Sequence, residues 1–223
     1  MTGTGSLTLA IDAATYEGTV AVIRGGVVVA AASVAMRGET EERLMPAVLA
    51  AIESAGASVR DVGQVVCGEG PGSFTSLRIA AAIAKGIAVG NGVPLYGVSS
   101  LALVVAGADG APAGRYLAIL DAMRGERFVA EFNRGPDGGV TQLGVVRRVG
   151  VDAAGTDAAH AGATPIGPLE VVRHGPHARG VAPMLAAIVA SGPVVTDSWE
   201  PVYGRLAEAQ VKWEAAHGRP LGA

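Results

Sequence analysis

Short apolar runs separated by turns predict three antiparallel strands at the start of the chain. The runs cover residues 7–13, 19–23 and 27–34, and the pair Gly25-Gly26 suits a tight hairpin between the second and third. The first run ends on an acidic residue, Asp12. A fourth apolar run, residues 64–67, then predicts a further strand that leads into a glycine-rich turn.

Two helical patterns flank that fourth strand. Apolar residues at positions 44, 45, 48, 49 and 52 form one stripe, with Thr40 as a candidate N-cap and Gly56 as the end. Pro46 has no amide hydrogen, so this helix either begins near Leu44 or is kinked. The second helix, residues 73–90, is apolar on nearly all sides and therefore needs a covering surface on nearly all sides.

The second half of the chain repeats the beginning. After a strand at 94–98, a short helix through 105 and a linker at 107–115, residues 116–121 resemble residues 7–12, and both strands end in aspartate. Return strands are predicted at 127–133 and 140–149. The pattern predicts an α/β protein of two repeated lobes, residues 1–106 and 107–223, of which the second is smaller.

The rest of the second lobe has weaker signals. Residues 150–168 are rich in Ala and Gly and show little periodicity, so no element is predicted there. A short helix is predicted at 183–190, an extended segment at 199–203, and a last helix at 206–216 that is a candidate to pack back on the first lobe.

Composition and charge narrow the function classes. The chain has 223 residues, a net charge of -3 and a single cysteine, Cys67, which fits a reducing cytoplasm. No secretion signal and no apolar stretch long enough to cross a membrane is predicted. Since no Lys/Arg-rich run occurs, any RNA is expected to be held mostly by a partner.

The glycine-rich turn is the first candidate for chemistry. Gly70, Gly72 and Ser73 stand between a strand and a helix, where backbone amides could hold an anion. No Lys-Ser/Thr pair closes a Walker-type loop. The spacing favours the other interpretation, a tight turn that needs glycine torsions, with Ser73 capping the helix.

The strand-end aspartates are the second candidate. Asp12, with Thr15 after it, and Asp121 could face each other across a cleft, as in two-lobed phosphotransferases. Each aspartate could instead cap its own turn. Neither alternative is favoured by the sequence.

Other reactive side chains form no complete site. His174 and His177 lie three residues apart, but Gly175 and Pro176 between them do not favour the helix that would let them share a metal. Cys67 lies in a buried strand pattern, which indicates an unreactive thiol. We expect no metal site, and no nucleophile can be matched with a histidine.

Five segments, in this order, resemble the bacterial TsaB (YeaZ) family. They are IDAAT at 11–15, GEGPGSFTSLRIAAAIAKG at 68–86, GVSSL at 97–101, LDAMRGERF at 120–128 and EPVY at 200–203. GPGSFT with the following Arg78 is the most specific, and DAMRGE is similar to the family's DARxGE segment. The resemblance is close over residues 7–135 and loose over 136–199.

The resemblance implies the fold of the actin, Hsp70 and sugar-kinase superfamily, in which two ribonuclease-H-like lobes carry mixed sheets flanked by helices. It implies a non-catalytic subunit that pairs with a TsaD-type transferase to make N6-threonylcarbamoyladenosine beside the anticodon of tRNA. A TsaE-type ATPase would complete the complex, and tRNA would be reached indirectly through it. The isolated chain could form a homodimer. No tightly bound cofactor is implied, and ATP or ADP would bind only at the complex interface.

The chain departs from its catalytic relative at two places. That relative carries a His-x-x-x-His metal motif in the helix before its own Gly-Pro-Gly turn, whereas residues 40–46 here read TEERLMP and contain no histidine. An adenine-binding loop is not recognisable in the second lobe, where residues 165–168 come nearest. The resemblance therefore does not extend to nucleotide binding by this chain alone.

In relatives of this family the two helices of the first lobe build the pairing surface. We therefore predict an interface at Leu44, Val48, Ala51, Leu77, Ala81, Ala84 and Ala88. A charge at whichever of Ala81 and Ala84 is exposed should abolish pairing. The alternative function is a small-molecule phosphotransferase that uses ATP with Asp12 and Asp121. A peptidase, the third hypothesis, has no nucleophile or metal set to support it.

Overall fold

A computed structural model of the chain describes residues 7–37, 42–204, 213 and 216–218. The candidate N-cap Thr40 lies outside these residues. So does almost all of the predicted last helix, 206–216, and with it any packing of that helix on the first lobe.

The first half of the chain forms a mixed sheet, the first-lobe sheet. Its strands span Leu7–Asp12 (β1), Glu17–Arg24 (β2), Val27–Ala35 (β3), Val62–Gly68 (β4) and Leu95–Val98 (β5). The order is β3-β2-β1-β4-β5, with antiparallel pairing from β1 to β3 and parallel pairing of β1 with β4 and of β4 with β5. This confirms the three antiparallel strands that the apolar runs predicted.

Two helices cover one face of the first-lobe sheet. The first, Leu44–Ser54 (α1), begins at Leu44, where the carboxylate of Glu42 accepts hydrogen bonds from the amides of Leu44 and Met45. Pro46 thus lies in the first turn, where its missing amide is tolerated. The second, Phe74–Asn91 (α2), ends at Gly92, whose φ of 65° favours glycine.

The second half forms another mixed sheet. Its strands span Gly114–Met123 (β6), Glu126–Arg134 (β7), Val140–Gln142 (β8), Arg147–Gly150 (β9), Thr164–Gly167 (β10) and Val172–Arg173 (β11). The strand predicted at 140–149 is wrong as a single element, because the backbone breaks near Gly144, at a φ of 128°, and β8 and β9 pair separately with β7. The segment without predicted structure, 150–168, contains a helix, Val151–Ala161 (α4), and the strand β10.

The remaining helices lie between the two sheets or on the outer side of the second. Ser100–Ala106 (α3) and Val181–Ala190 (α5) contribute to one core that joins both sheets, whereas α4 packs on the opposite face of the second sheet. Residues 193–204 then return to the first lobe, where the amide of Val202 donates to the carbonyl of Glu69 and Trp199 packs against the helix-covered core.

The topology confirms the predicted fold class, an α/β protein of two repeated ribonuclease-H-like lobes. In each lobe a hairpin leads through a helix into a strand parallel to the first: β4 beside β1, and β10 beside β6. The lobes differ after that strand, since α2 connects β4 to β5 whereas a short turn connects β10 to β11. In the described part of the second lobe, no helix stands between β10 and β11 where α2 stands in the first.

Candidate functional site: the cleft between the lobes

The two lobes enclose a cleft of about 690 Å³. Its floor is apolar and comes from the second lobe, where Leu120 and Phe128 are buried. Four of the six predicted phosphate-loop residues line it: Thr15, Gly72, Ser73 and Asp121. The other two, Asp12 and Gly70, are buried and do not line it.

Asp12 is a buried structural residue. It is 0% exposed, its Oδ1 accepts from the amide of Ala14 at 3.0 Å, and its Oδ2 accepts from the hydroxyl of Ser100 at 2.5 Å. Burial raises the pKa of this carboxyl, and the two hydrogen bonds offset part of the rise. A Cβ at position 68 would lie 1.9 Å from Oδ2, so Gly68 makes room for the carboxyl. Both carboxylate oxygens are occupied within the protein.

Asp121 borders the cleft but is also engaged. Its Oδ1 accepts from Arg127 at 2.6 Å and from the amide of Met123 at 3.0 Å. These bonds brace a tight hairpin in which Met123 and Arg124 have φ values of 65° and 55°. Asp121 therefore acts as a turn-capping residue, which was one of the two alternatives left open by the sequence.

The Gly70–Ser73 turn joins α2 to β1 and α3. The amide of Ser73 donates to the carbonyl of Ala14 at 2.7 Å, and a Cβ at Gly72 would lie 2.1 Å from that same oxygen. Gly70 exchanges hydrogen bonds with Ser100, whose hydroxyl accepts from the Gly70 amide at 3.0 Å. Close backbone contact thus accounts for Gly72 without a bound phosphate.

The histidine pair is part of the packing between lobes. His177 Nδ1 accepts from the amide of Arg179 at 3.1 Å, and burial lowers the pKa of His177 to about 4. His174 is half-buried, and burial lowers its pKa as well. Among residues 7–37 and 42–204 no group of three or more His, Cys, Asp or Glu side chains could hold a metal ion. Cys67 is fully buried and burial raises its thiol pKa, so the thiolate nucleophile is disfavoured.

Two arginines that were not among the predicted site residues line the cleft. Arg37 and Arg124 line it, and Arg37 stacks on the ring of Tyr16 with its guanidinium carbon 3.5 Å from the ring centroid. The Tyr16 hydroxyl lies 3.4 Å from the sulfur of Met123, which connects the two lobes across the opening. No local pattern could indicate this, because residues 16 and 123 are far apart in sequence.

The predicted interface residues are wrong as an exposed set. All seven are buried under the helices: Leu44, Val48, Ala51, Leu77, Ala81, Ala84 and Ala88. Leu44, Val48, Ala51, Ala84 and Ala88 belong to the core that packs α1 and α2 on the first-lobe sheet, and Leu77 belongs to the core between the two sheets. Ala81 and Ala84, at 6% and 0% exposure, therefore cannot test pairing. The outward face carries different residues, including Leu49, Gly86 and Val89.

That outward face contains a groove of about 460 Å³ between α1 and α2. Met45, Ile83 and Ile87 give it apolar walls, and Gly86 and Gly90 leave it open along α2. We call it the helix-pair groove. Within the described residues no helix is long and apolar enough to cross a bilayer.

Comparison with known proteins identifies relatives of both the sequence and the fold. A family model described as TsaD, tRNA N6-adenosine threonylcarbamoyltransferase, matches residues 17–141, more than half of the chain. The chain is 40% identical over 133 residues to the tRNA threonylcarbamoyladenosine biosynthesis protein TsaB of Escherichia coli K12, covering 58% of this chain and 56% of that protein. The Bacillus subtilis TsaB is 32% identical over 125 residues, 54% of this chain and 52% of that protein. The matches thus span about half the length of these relatives.

Solved structures extend the likeness to nearly the whole chain. A Pseudomonas aeruginosa protein described as similar to peptidase YeaZ superposes with a TM-score of 0.72 and 26% identity, covering 90% of this chain and 100% of that one. The structure described as YeaZ from the same organism gives 0.71 and 26%, covering 89% and 99%. The chain therefore belongs to the family described as TsaD, tRNA N6-adenosine threonylcarbamoyltransferase, and within it to the TsaB (YeaZ) group.

Proposed function

We propose that this protein is a non-catalytic subunit of the machinery that makes threonylcarbamoyladenosine in tRNA. The relatives of known name are tRNA threonylcarbamoyladenosine biosynthesis proteins. The observation that carries the non-catalytic role is the engagement of the two strand-end aspartates within the protein. Asp12 is sealed by Ser100 and Ala14, and Asp121 is held by Arg127 and Met123.

This arrangement does not favour the phosphotransferase alternative. A general base must reach the reacting hydroxyl, and a metal-binding carboxylate must present free oxygens. Asp12 has no exposed surface, and Oδ1 of Asp121 is engaged by Arg127 and by the amide of Met123. The peptidase hypothesis has no support from Cys67 or Ser73, since the thiol is buried and the Ser73 hydroxyl lies 3.0 Å from that of Ser76.

The pairing surface of this proposal is the helix-pair groove and the outward face around it. Leu49 is 44% and Val89 66% exposed, and exposed apolar surface of this kind commonly lies in protein interfaces. Ala82, Gly86 and Gly90 follow each other at helical spacing on the exposed side of α2, which allows close approach of another helix. The occupant we propose is the TsaD-type catalytic subunit.

The remaining parts of the proposal concern partners and cofactors. A TsaE-type ATPase completes the complex, and a second copy of this chain occupies the same face when the catalytic subunit is missing. We assign no tightly bound cofactor to the chain and place ATP or ADP only at the complex interface. The protein works in the cytoplasm, and the catalytic subunit holds most of the tRNA.

Reconstitution tests the proposal. The chain is combined with a TsaD-type subunit, a TsaE-type ATPase, the enzyme that makes threonylcarbamoyl-adenylate, a tRNA transcript, threonine, bicarbonate and ATP. Mass spectrometry of the digested tRNA should show the modified nucleoside only when the chain is present. The purified chain alone should not turn over ATP. Undiminished modification without the chain would remove the proposed function, and ATP turnover by the chain alone would remove its non-catalytic part.

A further inference from the structure

We propose that the mouth of the interlobe cleft binds the phosphate backbone of the tRNA through Arg37, Arg78 and Arg124. The inference rests on the proposed function, because it takes the tRNA as the ligand present. It assigns a direct RNA contact to this subunit, beside the larger contact expected from its catalytic partner. Its supports are the charges around the cleft, the contacts that hold the arginines in place, and the apolar floor.

The first support is the distribution of charge. Within the described residues no ion pair involves Arg37, Arg78 or Arg124, whereas arginines 115, 127, 147, 148 and 179 each have a carboxylate partner. Arg37 and Arg124 line the cleft, and Phe74, on which Arg78 stacks, lines it too. Two guanidinium groups without an ion pair thus line the cleft and a third stacks on one of its lining residues, on a chain whose net charge is -3. Arg24, Arg60, Arg134 and Arg173 are likewise in no ion pair among the described residues, but they do not line the cleft.

Aromatic rings hold two of these arginines in place. Arg37 stacks on Tyr16, and Arg78 stacks on Phe74 at 4.1 Å while its Nε donates to the hydroxyl of Tyr203 at 3.2 Å. Stacking occupies the flat face of a guanidinium and leaves in-plane N–H donors for phosphate oxygens. It also fixes the long side chain beforehand, so less conformational entropy is lost when a phosphate binds.

A further support is the backbone at Arg124. In the part of the chain that the structure describes, Met123 and Arg124 are the non-glycine residues with positive φ, and both line the cleft. A backbone of this kind favours glycine, so an arginine there is held against a local preference. The hairpin places this arginine at the opening, opposite Arg37 and Tyr16.

The distribution of polar groups in the cleft suits a large anion better than a small one. Arg37 and Arg124 are exposed at the rim and Arg78 is exposed beside the rim residue Phe74, whereas the floor at Leu120, Ala122 and Phe128 is buried and apolar. Among the described residues, the buried side-chain polar atoms without a partner belong to other parts of the molecule and do not line the cleft. Rim charges over an apolar floor suit a polyanion lying across the opening. The acidic residues that also line the cleft are Glu170 and Asp121, of which Asp121 is neutralised by its ion pair with Arg127.

The test measures binding of a labelled tRNA transcript to the complex of this chain with its catalytic partner, across a range of KCl concentrations. The test variant is Arg37→Gln/Arg124→Gln. Its control, Arg115→Gln/Arg147→Gln, removes the same charge from arginines that do not line the cleft. We expect the test variant to weaken binding on the order of tenfold and to reduce the slope of log Kd against log salt by about one per arginine. The control should change neither.

Two further variants sharpen the result. Arg37→Lys/Arg124→Lys keeps the charge and should retain most of the slope, whereas Arg124→Gly relieves the backbone and should keep or raise Tm while weakening binding. Equal Kd values and slopes for test and control variants, in a complex whose tRNA modification depends on this chain, would overturn the RNA contact and leave the proposed function standing. Modification that proceeds without the chain would overturn both.

Discussion

The hydroxyl of Ser100, on α3, donates a 2.5 Å hydrogen bond to the carboxyl of Asp12 at the end of β1, and both side chains are 0% exposed. Ser100 also accepts from the amide of Gly70, so one hydroxyl joins a strand, a helix and the glycine-rich turn. Ser100→Ala leaves two buried polar groups with fewer partners and should lower the free energy of unfolding by about 1–3 kcal/mol. Urea unfolding measures this. Ser54→Ala, which removes an exposed hydroxyl, is the control and should change stability little.

The pH dependence of stability should report the buried Asp12 carboxyl. Burial raises its folded-state pKa above the unfolded value, so its contribution is complete below the unfolded pKa and is lost as the pH rises through the folded pKa. Asp12→Asn resembles the protonated carboxyl and does not titrate. The free energy of unfolding of the variant minus that of the wild type should therefore increase as the pH rises from about 4, the unfolded pKa of an aspartate, through the raised folded-state pKa. A constant difference over this range would contradict a raised pKa.

The strand-end aspartates show how far local sequence reaches. The apolar runs correctly placed Asp12 and Asp121 at the ends of equivalent strands. They could not reveal that Ser100, 88 residues away, donates a hydrogen bond to the Asp12 carboxyl. Hydrogen-bond partners that are remote in sequence leave no periodic signal. The partner of Asp121 is near, at Arg127, and the turn-capping alternative had allowed for it.

The helices illustrate a second limit. Periodicity predicted a stripe on α1, in which residues 44, 48 and 52 are buried whereas Leu49 is 44% exposed. For α2 it predicted apolar residues on nearly all sides and no single stripe. It could not say which side of α2 faces the sheet, since Ala, Ile and Gly occur on both sides of this helix. The residues that were assigned to the interface are therefore buried residues of the core. The helix α4 was missed for a related reason: its sequence, VDAAGTDAAHA, has small side chains and hardly any apolar stripe.

Gly72 should be intolerant of any side chain. A Cβ there would lie 2.1 Å from the carbonyl oxygen of Ala14, and backbone cannot move aside as a flexible side chain can. We expect Gly72→Ala to lower the free energy of unfolding by about 3 kcal/mol or more, because the α2 turn and β1 must separate. Gly155→Ala is the control: nothing lies within 4 Å of its Cβ, and in helix α4 alanine should stabilise by about 0.5–1 kcal/mol. Thermal unfolding of both variants checks the contrast.

Asp121→Asn separates a structural cleft from a catalytic one. The variant weakens a partly exposed ion pair with Arg127, which should alter the free energy of unfolding by about 1 kcal/mol or less. If the cleft does no chemistry, reconstituted tRNA modification should continue at a rate close to that of the wild type. A loss of several orders of magnitude in rate, with the complex intact by gel filtration, would instead favour a catalytic carboxylate at this position.

Gly86 is the position at which pairing through the helix-pair groove can be tested without disturbing the core. Nothing lies within 4 Å of a Cβ built there, so Gly86→Glu should leave the isolated chain folded. In the complex the same carboxylate would be removed from water beside the apolar walls formed by Met45 and Ile83, at a cost that Arg60, the basic residue lining the groove, offsets only in part, so association is strongly disfavoured. We expect loss of the heterodimer in gel filtration and a weakening of Kd by at least about a hundredfold, the equivalent of roughly 3 kcal/mol.

Gly155→Glu provides the matched control, because it adds the same charge to an exposed glycine of α4, a helix of the other lobe. It should pair like the wild type. Gly86→Ala adds a third arm, since alanine should stabilise the isolated chain by about 0.5–1 kcal/mol while its methyl group hinders the close approach of a partner helix. Full pairing by Gly86→Glu would place the catalytic subunit on another face of the first lobe, and equal loss by both Glu variants would indicate a general effect of added charge.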